Sequence, residues 1–409
     1  MNKKQILGII TLAIAVIAIV VIGTRKEKYV TFTDVDGNEI GYVVIEDQKI
    51  KIECDDSVWS YIDIATREAL DVLGYSVDDS KAIKEFVESE VKIETYMDKE
   101  IVDAIHEGYE ANQNNVRNAE FASVITDVNG CVKGCFSMSD QTVSTNNVVR
   151  KTYAGSTIKP ISVYGPLIEM KSADMDTLYY DKPYSYILDE NNKKVPWPKN
   201  TGRYTGEEIT LEEAVKKSNN AVAVRALKDL GVDISLDYLE NSFGLDVSSE
   251  RELYKEKGED EILGKVALGY LDSGVSVYKM TECYQPFANG GEIYPLHCIE
   301  SIKSEEGEDI YHQNLTSKRV FSEDTAYKMN RILKSVVSED GTADKACIEG
   351  DDICGKTGTT ENNKDNWFIG FTSEYICSVW YGQSNVPINS NEADVIFKDI
   401  VSGIRIDAN

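Results

Sequence analysis

The chain has little histidine: only His106, His297 and His312 occur among its 409 residues. They are far apart in the sequence and none has the spacing of a metal-binding helix motif, which argues against a zinc hydrolase. The strand-to-helix motif that carries the nucleophile of Ser-His-Asp hydrolases is also missing. Cys298 adjoins His297 only in sequence, so a Cys-His catalytic pair has no support. The composition therefore favours a reaction that needs neither a metal ion nor a catalytic histidine.

Excess basic charge and paired-cysteine motifs are missing too. The formal net charge is −27, which argues against binding to nucleic acid or to an anionic lipid surface. Eight cysteines occur without any Cys-x-x-Cys spacing. Cys131 and Cys135 lie too far apart on one extended strand to be bridged, whereas Cys347 and Cys354 could pair. We expect most of the cysteines to be buried free thiols.

One long apolar run is present, from Ile6 to Ile22, broken only by Gly8 and Thr11. A helix of this length spans about 25 Å, slightly less than the roughly 30 Å of a bilayer core. A cleaved signal peptide is the alternative, but its apolar core is normally about 7 to 15 residues long and ends at a small-x-small site. We therefore expect an uncleaved single-pass anchor. Lysine or arginine flanks both ends, so charge does not decide its orientation.

Three short strings occur in order: STIKP at 156–160, SNN at 218–220 and KTGTT at 356–360. The first precedes apolar residues at three-to-four spacing, which predicts a helix that starts near Ser156. A lysine three residues after a serine shares its helix face, so Lys159 can approach the Ser156 hydroxyl. A desolvated lysine can take the proton of that hydroxyl and make it a nucleophile.

The second string falls between two helical stretches, 211–217 and 221–231, with Gly231 as the expected C-cap. Ser218 and Asn220 are predicted in the connection between them, facing a cleft. A plain turn would contain the same residue types, so this string is informative only beside the other two.

The third string is predicted on a strand, because 353–360 is followed by two runs rich in aromatic and β-branched residues, 366–372 and 375–382. Lys356 would supply a positive charge, and Gly358 would let a substrate backbone approach the strand edge. An extended peptide could then add to this edge as a further strand.

Together the three strings match the Ser-x-x-Lys, Ser-x-Asn and Lys-Thr-Gly set of penicillin-binding proteins and serine β-lactamases. Residues from about 91 to 385 resemble the transpeptidase domain of class A, or bifunctional, penicillin-binding proteins. The stretches that carry this resemblance are 92–101, 122–137, 197–220, 263–291, 338–346 and 364–372.

The resemblance implies a membrane-anchored serine D,D-transpeptidase that cross-links peptidoglycan stem peptides ending in D-Ala-D-Ala, with β-lactams as inhibitors and no cofactor. Lys159 would deprotonate Ser156, Ser218 would relay a proton, and Asn220 would hold a substrate carbonyl. Lys356 and Thr357 would bind the carboxylate at the strand edge formed with Gly358. The backbone N–H groups of Ser156 and Thr359 would form the oxyanion hole. The family also implies a catalytic domain on the extracytoplasmic side of the cell membrane.

Two departures from the class A pattern stand out. Only about 65 residues separate the apolar run from the transpeptidase start, and they contain no glycosyltransferase signature. Residues 59–86 resemble only the tail that follows such a domain, so a separate glycan polymerase is the implied partner. In addition, Pro166 is expected to kink or end the nucleophile helix about two turns in.

The predicted fold is an α/β transpeptidase-like antiparallel sheet flanked by helices, with a helical subdomain inserted between residue 156 and about 345. Three regions are expected: a tail and anchor at 1–28, a small α+β stalk at 29–90 and the transpeptidase domain at 91–409. Residues 121–137 and 353–382 would supply the sheet, closed by a C-terminal helix near 392–403.

Two other classes of function are alternatives to a transpeptidase. In a D,D-carboxypeptidase or a β-lactamase, water would resolve the acyl-enzyme, but the large insertion and the class A flanks disfavour a hydrolase. A β-lactam sensor or cell-wall scaffold would bind without turnover. The residues before the apolar run are too few for a signalling domain, and no catalytic residue is lost, which disfavours that class.

Overall fold

The computed structural model describes residues 28–116, 119–139, 145–383, 388 and 391–407. The apolar run predicted as an anchor, residues 6–22, lies outside these described residues. Within them, no helix is both long and apolar enough to cross a membrane.

An antiparallel five-stranded sheet lies at the centre of the fold, in the spatial order β15-β16-β17-β5-β6. Its strands are β5 (Glu120–Asp127), β6 (Val132–Met138), β15 (Cys354–Thr359), β16 (Asp365–Phe371) and β17 (Tyr375–Gly382). Strand β16 is buried on both faces and β17 almost entirely so, which explains why both read as nearly continuous apolar and aromatic runs. This sheet confirms the prediction that 121–137 pairs with 353–382.

Helices cover both faces of this sheet. On one face lie α3 (Lys99–Ala111) and α13 (Ala393–Asp407), which pack against each other so closely that a Cβ atom on Gly108 would lie 2.5 Å from Ile400. On the other face lies α11 (Val277–Ala288), tied to β17 by a 2.8 Å hydrogen bond between the hydroxyls of Thr281 and Ser378. The predicted C-terminal helix is therefore present and extends four residues further.

A second sheet combines four strands from the N-terminal region with two strands from residues 299–312, in the order β13-β12-β4-β1-β2-β3. Its strands are β1 (Val30–Thr33), β2 (Glu39–Glu46), β3 (Lys49–Cys54), β4 (Lys92–Thr95), β12 (Ile299–Lys303) and β13 (Asp309–His312). Helices α1 (Asp56–Val72) and α2 (Ser80–Glu88) follow β3. Strand β1 runs parallel to β4, and β4 pairs antiparallel with β12. The boundary predicted between 29–90 and 91–409 therefore falls inside one continuous sheet.

The insertion after residue 155 contains most of the remaining helices. The α-helices are α5 (Gly165–Glu169), α6 (Leu211–Lys216), α7 (Asn220–Leu230), α8 (Val232–Asp237), α9 (Ser248–Lys257), α10 (Leu263–Leu268) and α12 (Glu323–Val337), and the short helix α4 (Gln113–Val116) precedes β5. The insertion also contains two-stranded ribbons, formed by β7 (Leu178–Tyr180) with β10 (Glu208–Thr210), β8 (Ser185–Leu188) with β9 (Lys194–Trp197), and β11 (Glu292–Ile293) with β14 (Lys318–Arg319). The helical subdomain predicted between residue 156 and about 345 is therefore present and also carries short strands, which the sequence patterns did not identify.

The nucleophile helix differs from the regular helix that the periodicity predicted. It begins as a 3₁₀ turn, Gly155–Ile158, continues as a π-helical turn, Pro160–Tyr164, and becomes α-helical only in α5. Pro166 lies in the first turn of α5, where a missing N–H costs least, so the helix ends at Glu169 rather than at the proline. All three helix types repeat every three to four residues or slightly more, which is why the apolar spacing alone did not distinguish them.

All eight cysteines are free thiols. Five of them, at positions 131, 135, 283, 298 and 377, are buried within the packed core, and so is Cys354 at the start of β15. Cys347 is exposed and Cys54 is half-buried. The expectation that most cysteines are buried free thiols is confirmed, and the possible Cys347–Cys354 bridge is not formed.

Candidate active site

The first and third strings meet where β15 passes the 3₁₀ turn that carries Ser156. A Cβ atom on Gly155 would lie 3.1 Å from the backbone nitrogen of Thr359, and one on Gly358 would lie 2.7 Å from the carbonyl oxygen of Ala154. Side chains at these two positions would push the strand away from the turn. The two glycines are therefore what allows Ser156 and Thr359 to be neighbours.

Gly155 also needs glycine for its backbone, because its φ of 53° lies in the left-handed region. Its N–H donates to the carbonyl oxygen of Gly269 at 3.3 Å, and a Cβ on Gly269 would lie 2.1 Å from the oxygen of Gly155. Just beyond the nucleophile, Tyr284 on α11 donates its hydroxyl to the carbonyl oxygen of Thr157 at 2.7 Å. The turn that carries Ser156 is thus supported from the loop after α10 and from a helix of the sheet face.

Ser218 lies in the connection between α6 and α7, as predicted, and has a left-handed φ of 53°. Asn219 is the N-cap of α7 and accepts from the N–H of Val222 at 2.9 Å. Asn220 is the first residue of α7 rather than part of the connection, which corrects its predicted place. The connection is therefore short and is held at its end by a cap, so that Ser218 in the connection and Asn220 at the start of α7 both contact Lys159.

Lys159 is completely buried and donates to three oxygens of the second string. Its Nζ lies 2.6 Å from Oδ1 of Asn220, 2.9 Å from the carbonyl oxygen of Ser218 and 3.5 Å from Oγ of Ser218. In the described part of the chain, no hydrogen bond joins it to Oγ of Ser156, which is half-buried. Such contacts are often formed only once a substrate is bound.

Lys356 is also completely buried and contacts the same serine. Its Nζ donates to Oγ of Ser218 at 2.9 Å and to the carbonyl oxygen of Thr357 at 3.0 Å. Ser218 therefore lies between two lysine amines, one from the nucleophile helix and one from β15. A hydroxyl in this position can pass a proton from one nitrogen toward a third group.

Burial perturbs both amines. The pKa of Lys159 is lowered well below 10.5, first by burial and then by repulsion from Lys356. Burial lowers the pKa of Lys356 from 10.5 to about 7. Among the described residues, neither lysine forms an ion pair with a carboxylate. Both effects favour the neutral amine of Lys159, which is the form that can act as a base. Lys356, which the sequence suggested as a fixed positive charge, titrates near pH 7 when no anion is bound.

A set of polar residues that the sequence did not single out holds the second string in place. Oδ1 of Asn200 accepts from the backbone N–H groups of Asn220 and Ala221 at 3.0 and 3.2 Å, and its own amide donates to Asp181 at 2.8 Å. The Asn220 amide donates to the carbonyl oxygen of Lys199 at 2.7 Å. The Pro-Lys-Asn segment at 198–200 was the available signal, but its partners could not be identified from the sequence.

The edge of β15 offers the remaining groups. Thr359 is exposed at its end, and Thr357 is half-buried with its hydroxyl 3.0 Å from that of Thr342. Thr342 lies in the segment after α12 and is anchored by a 3.3 Å backbone hydrogen bond to Lys216 of α6. In the described ranges, no group of three or more histidine, cysteine, aspartate or glutamate side chains is arranged to hold a metal ion.

The model of the "penicillin binding protein transpeptidase domain" family matches residues 108–402. Penicillin-binding protein 1F of Bacillus subtilis is 32% identical over 360 residues, which cover 84% of this chain and 46% of that protein. Penicillin-binding protein 1A of Clostridium botulinum (strain Langeland) is 29% identical over 351 residues, covering 81% of this chain and 41% of that one. The chain thus spans less than half the length of these relatives.

Solved structures show the same fold. The D,D-transpeptidase domain of a peptidoglycan glycosyltransferase from Eggerthella lenta superposes with a TM-score of 0.69 at 19% identity, covering 94% of this chain and all of that one. Penicillin-binding protein 3 from M. tuberculosis gives a TM-score of 0.72 at 16% identity, covering 94% of this chain and 96% of that one. At such low identity these likenesses concern the fold, whereas the family match concerns the sequence. The chain therefore belongs to the penicillin-binding protein transpeptidase family.

Proposed function

We propose that this protein is a membrane-anchored serine D,D-transpeptidase that cross-links peptidoglycan stem peptides and is inhibited by β-lactams. The observation that carries the proposal is the environment of Lys159: a buried amine, without an acidic partner in the described residues, that bonds Ser218 and Asn220 opposite a second buried lysine. Burial and the second lysine favour the neutral form of this amine, which can accept a proton, and the amine belongs to a residue three positions after a half-buried serine.

The first half-reaction makes an ester. Lys159 takes the proton of Ser156 as Oγ attacks the carbonyl carbon of the penultimate D-Ala. The negative charge that develops on the carbonyl oxygen is stabilised by the N–H groups of Ser156 and Thr359. The C–N bond then breaks, and the departing D-Ala amine receives a proton relayed through Ser218, which leaves an acyl-enzyme on Ser156.

The second half-reaction resolves the ester. An amine from a neighbouring stem attacks the same carbonyl carbon and loses a proton to the neutral Lys159 amine. The C–O bond to Ser156 then breaks, Oγ of Ser156 regains that proton from Lys159, and a new amide cross-links the two stems. Lys356 and Thr357 would bind the substrate carboxylate. An arriving carboxylate raises the pKa of Lys356 and so restores its positive charge. Asn220 would hold a peptide carbonyl of the donor.

The experiment measures how the acyl-enzyme is resolved. Purified protein is given a soluble donor ending in D-Ala-D-Ala together with an amine acceptor, and released D-Ala, amide product and hydrolysed acid are quantified. The account predicts D-Ala release that requires Ser156 and amide product in excess of acid. Ser156→Ala should abolish all three products, whereas Ser172→Ala, a change at an exposed serine, should abolish none.

Formation of acid alone would contradict the transpeptidase proposal and indicate a D,D-carboxypeptidase or a β-lactamase-type hydrolase. Stoichiometric binding of a β-lactam without any turnover of the donor would indicate a sensor or scaffold.

We also propose a cell-membrane location, with residues 6–22 as the anchor and the catalytic domain outside, and a separate glycan polymerase as partner. The support is the apolar run and the absence of a glycosyltransferase signature in the sequence. The purified protein should form no glycan strands from lipid II, but should cross-link strands made by an added polymerase. Strand synthesis by the pure protein would contradict the partner proposal.

A further inference from the structure

Asp365 is the first residue of β16, and its carboxylate is buried between the two segments that form the site. Only 2% of the residue is exposed. In the described residues it takes part in no ion pair, and its hydrogen-bond donors are two threonines and a tryptophan. A carboxylate in such a place needs several hydrogen-bond donors, because burying a charge without them costs free energy of folding.

One carboxylate oxygen holds the segment that leads to the nucleophile. Oδ1 of Asp365 accepts from the hydroxyl of Thr152, four residues before Ser156. The backbone of Thr152 is itself fixed, because its N–H and C=O pair with Val275 at 2.9 and 2.8 Å. The same oxygen accepts from the indole N–H of Trp380 on β17 at 3.3 Å.

The other oxygen holds the end of the Lys-Thr-Gly strand. Oδ2 of Asp365 accepts from the hydroxyl of Thr360 at 2.8 Å. That hydroxyl in turn accepts from the N–H of Asp365 at 2.9 Å, and the N–H of Thr360 donates to the carbonyl oxygen of Asp365 at 3.0 Å. Three hydrogen bonds thus connect Asp365 with the residue directly after Thr359.

A single planar group therefore spans the two segments that carry the proposed oxyanion donors, the N–H groups of Ser156 and Thr359. The two segments also approach each other directly, because a Cβ atom on Gly155 would lie 3.1 Å from the backbone nitrogen of Thr359. Since the two donors come from positions 203 residues apart in the chain, their separation depends on tertiary bonds of this kind.

We propose that Asp365 is a positioning residue that sets the separation and angle of the two oxyanion donors. The inference rests on the proposed function, since it concerns the acylation of Ser156. Loss of the hydroxyl of Thr152 or of Thr360 should therefore slow the chemical step, because a displacement of about 1 Å between reacting groups can cost on the order of 100-fold in rate. Binding of the ligand before the chemical step should be little changed.

The test separates the binding constant of the non-covalent complex from the rate constant of acylation, by stopped-flow mixing with a reporter penicillin over a range of concentrations. Asp365→Asn keeps the shape but leaves one acceptor oxygen in place of two. Thr152→Val and Thr360→Val each remove one hydroxyl at nearly constant shape. Thr152→Ser and Thr360→Ser keep the hydroxyl and should restore the rate.

Thr281→Val is the matched control for a purely structural effect. Thr281 is a buried threonine of α11 whose hydroxyl bonds Ser378 of β17 at 2.8 Å and makes no hydrogen bond to Asp365, Thr152 or Thr360 among the described residues. It should lower the melting temperature without slowing acylation of the folded protein. Asp365→Asn, Thr152→Val and Thr360→Val should slow acylation by about 10- to 100-fold, with the binding constant within about threefold.

Acylation rates within about threefold of wild type in folded valine variants would overturn the inference. A rate loss in the serine variants equal to that in the valine variants would overturn it as well, because the hydroxyl would then not matter. If Asp365→Asn does not fold, the two valine variants decide the question. If wild-type protein is acylated normally, such a result in the variants overturns the role of Asp365 and leaves the proposed function standing. If wild-type protein is never acylated, both proposals are overturned.

Discussion

Replacing Lys356 by methionine should stabilise the protein, although Lys356 belongs to the proposed site. Its amine is fully buried and, within the described ranges, donates hydrogen bonds to Ser218 and Thr357 alone; burial lowers its pKa from 10.5 to about 7. Methionine has a similar length and an unbranched shape, and it carries no charge to desolvate. Lys356→Met should therefore be more stable than wild type at neutral pH while it loses the ability to bind a carboxylate.

The magnitude follows from the linkage between protonation and folding. Each pKa unit corresponds to about 1.36 kcal/mol, so a fall from 10.5 to about 7 corresponds to on the order of 5 kcal/mol against the charged form in the folded state. The two lost hydrogen bonds offset about 2 kcal/mol. The expected gain at pH 7 is therefore about 3 kcal/mol, or about 5 °C in melting temperature for a chain of this size.

The sign of the effect depends on pH. The folded-state pKa of Lys356 is depressed, so between pH 7 and 10.5 the unfolded chain binds more protons than the folded one at this residue. Stability associated with Lys356 is thus present at high pH and is lost as the pH falls toward 7. Lys356→Met removes this loss, so its advantage should be largest at or below pH 7 and should disappear near pH 10, where only the lost hydrogen bonds count.

The assay is unfolding in urea, followed by circular dichroism at pH 7 and at pH 10. Lys255→Met, a change at an exposed lysine on α9, serves as the control and should shift stability by no more than about 0.5 kcal/mol at either pH. A Lys356→Met variant that is less stable than wild type at pH 7, or whose difference from wild type is the same at both pH values, would refute the reasoning.

Three further predictions concern the chemistry. Lys159→Arg should abolish acylation by penicillin while the protein stays folded, because arginine does not deprotonate; labelling at near wild-type rate would show that Lys159 is not the base. Ligand binding should weaken as the pH rises above about 7, because burial lowers the pKa of Lys356 to about 7 and its amine then loses the proton; a pH-independent binding constant in rapid-mixing experiments would contradict this. Gly358→Ala should slow acylation by about 100-fold, since its Cβ would lie 2.7 Å from the oxygen of Ala154, whereas Gly202→Ala, which meets no atom within 4 Å, should label normally in gels.

The central sheet and the elements that carry the three strings could be predicted from the sequence, because they depend on local patterns. Runs rich in aromatic and β-branched residues indicate strands, and β15, β16 and β17 lie within one or two residues of the predicted runs. Gly231 was expected as the cap of α7 and has a φ of 92° after its last residue, Leu230. Ser156 and Lys159 are three residues apart, so their shared helix face follows from any helical geometry.

Partners far apart in the chain could not be predicted in the same way. The bond between Thr152 and Asp365 joins positions 213 residues apart, and neither residue belongs to one of the strings. Asn200 was visible as part of a family-like segment, but its bonds to the start of α7 depend on how the loop folds back. The charge of Lys356 was inferred from residue type, whereas its pKa depends on burial, which is a property of the tertiary fold.

The central claim is that Ser156 is the residue that becomes acylated. Intact-mass spectrometry of the purified protein after brief exposure to penicillin should show one added penicilloyl group, and peptide mapping should place it on Ser156. Because the sequence offers no motif for a water-activating glutamate, that adduct should persist for many minutes. Ser156→Ala should remain unmodified. An adduct that survives Ser156→Ala, or one that maps to another residue, would contradict the account.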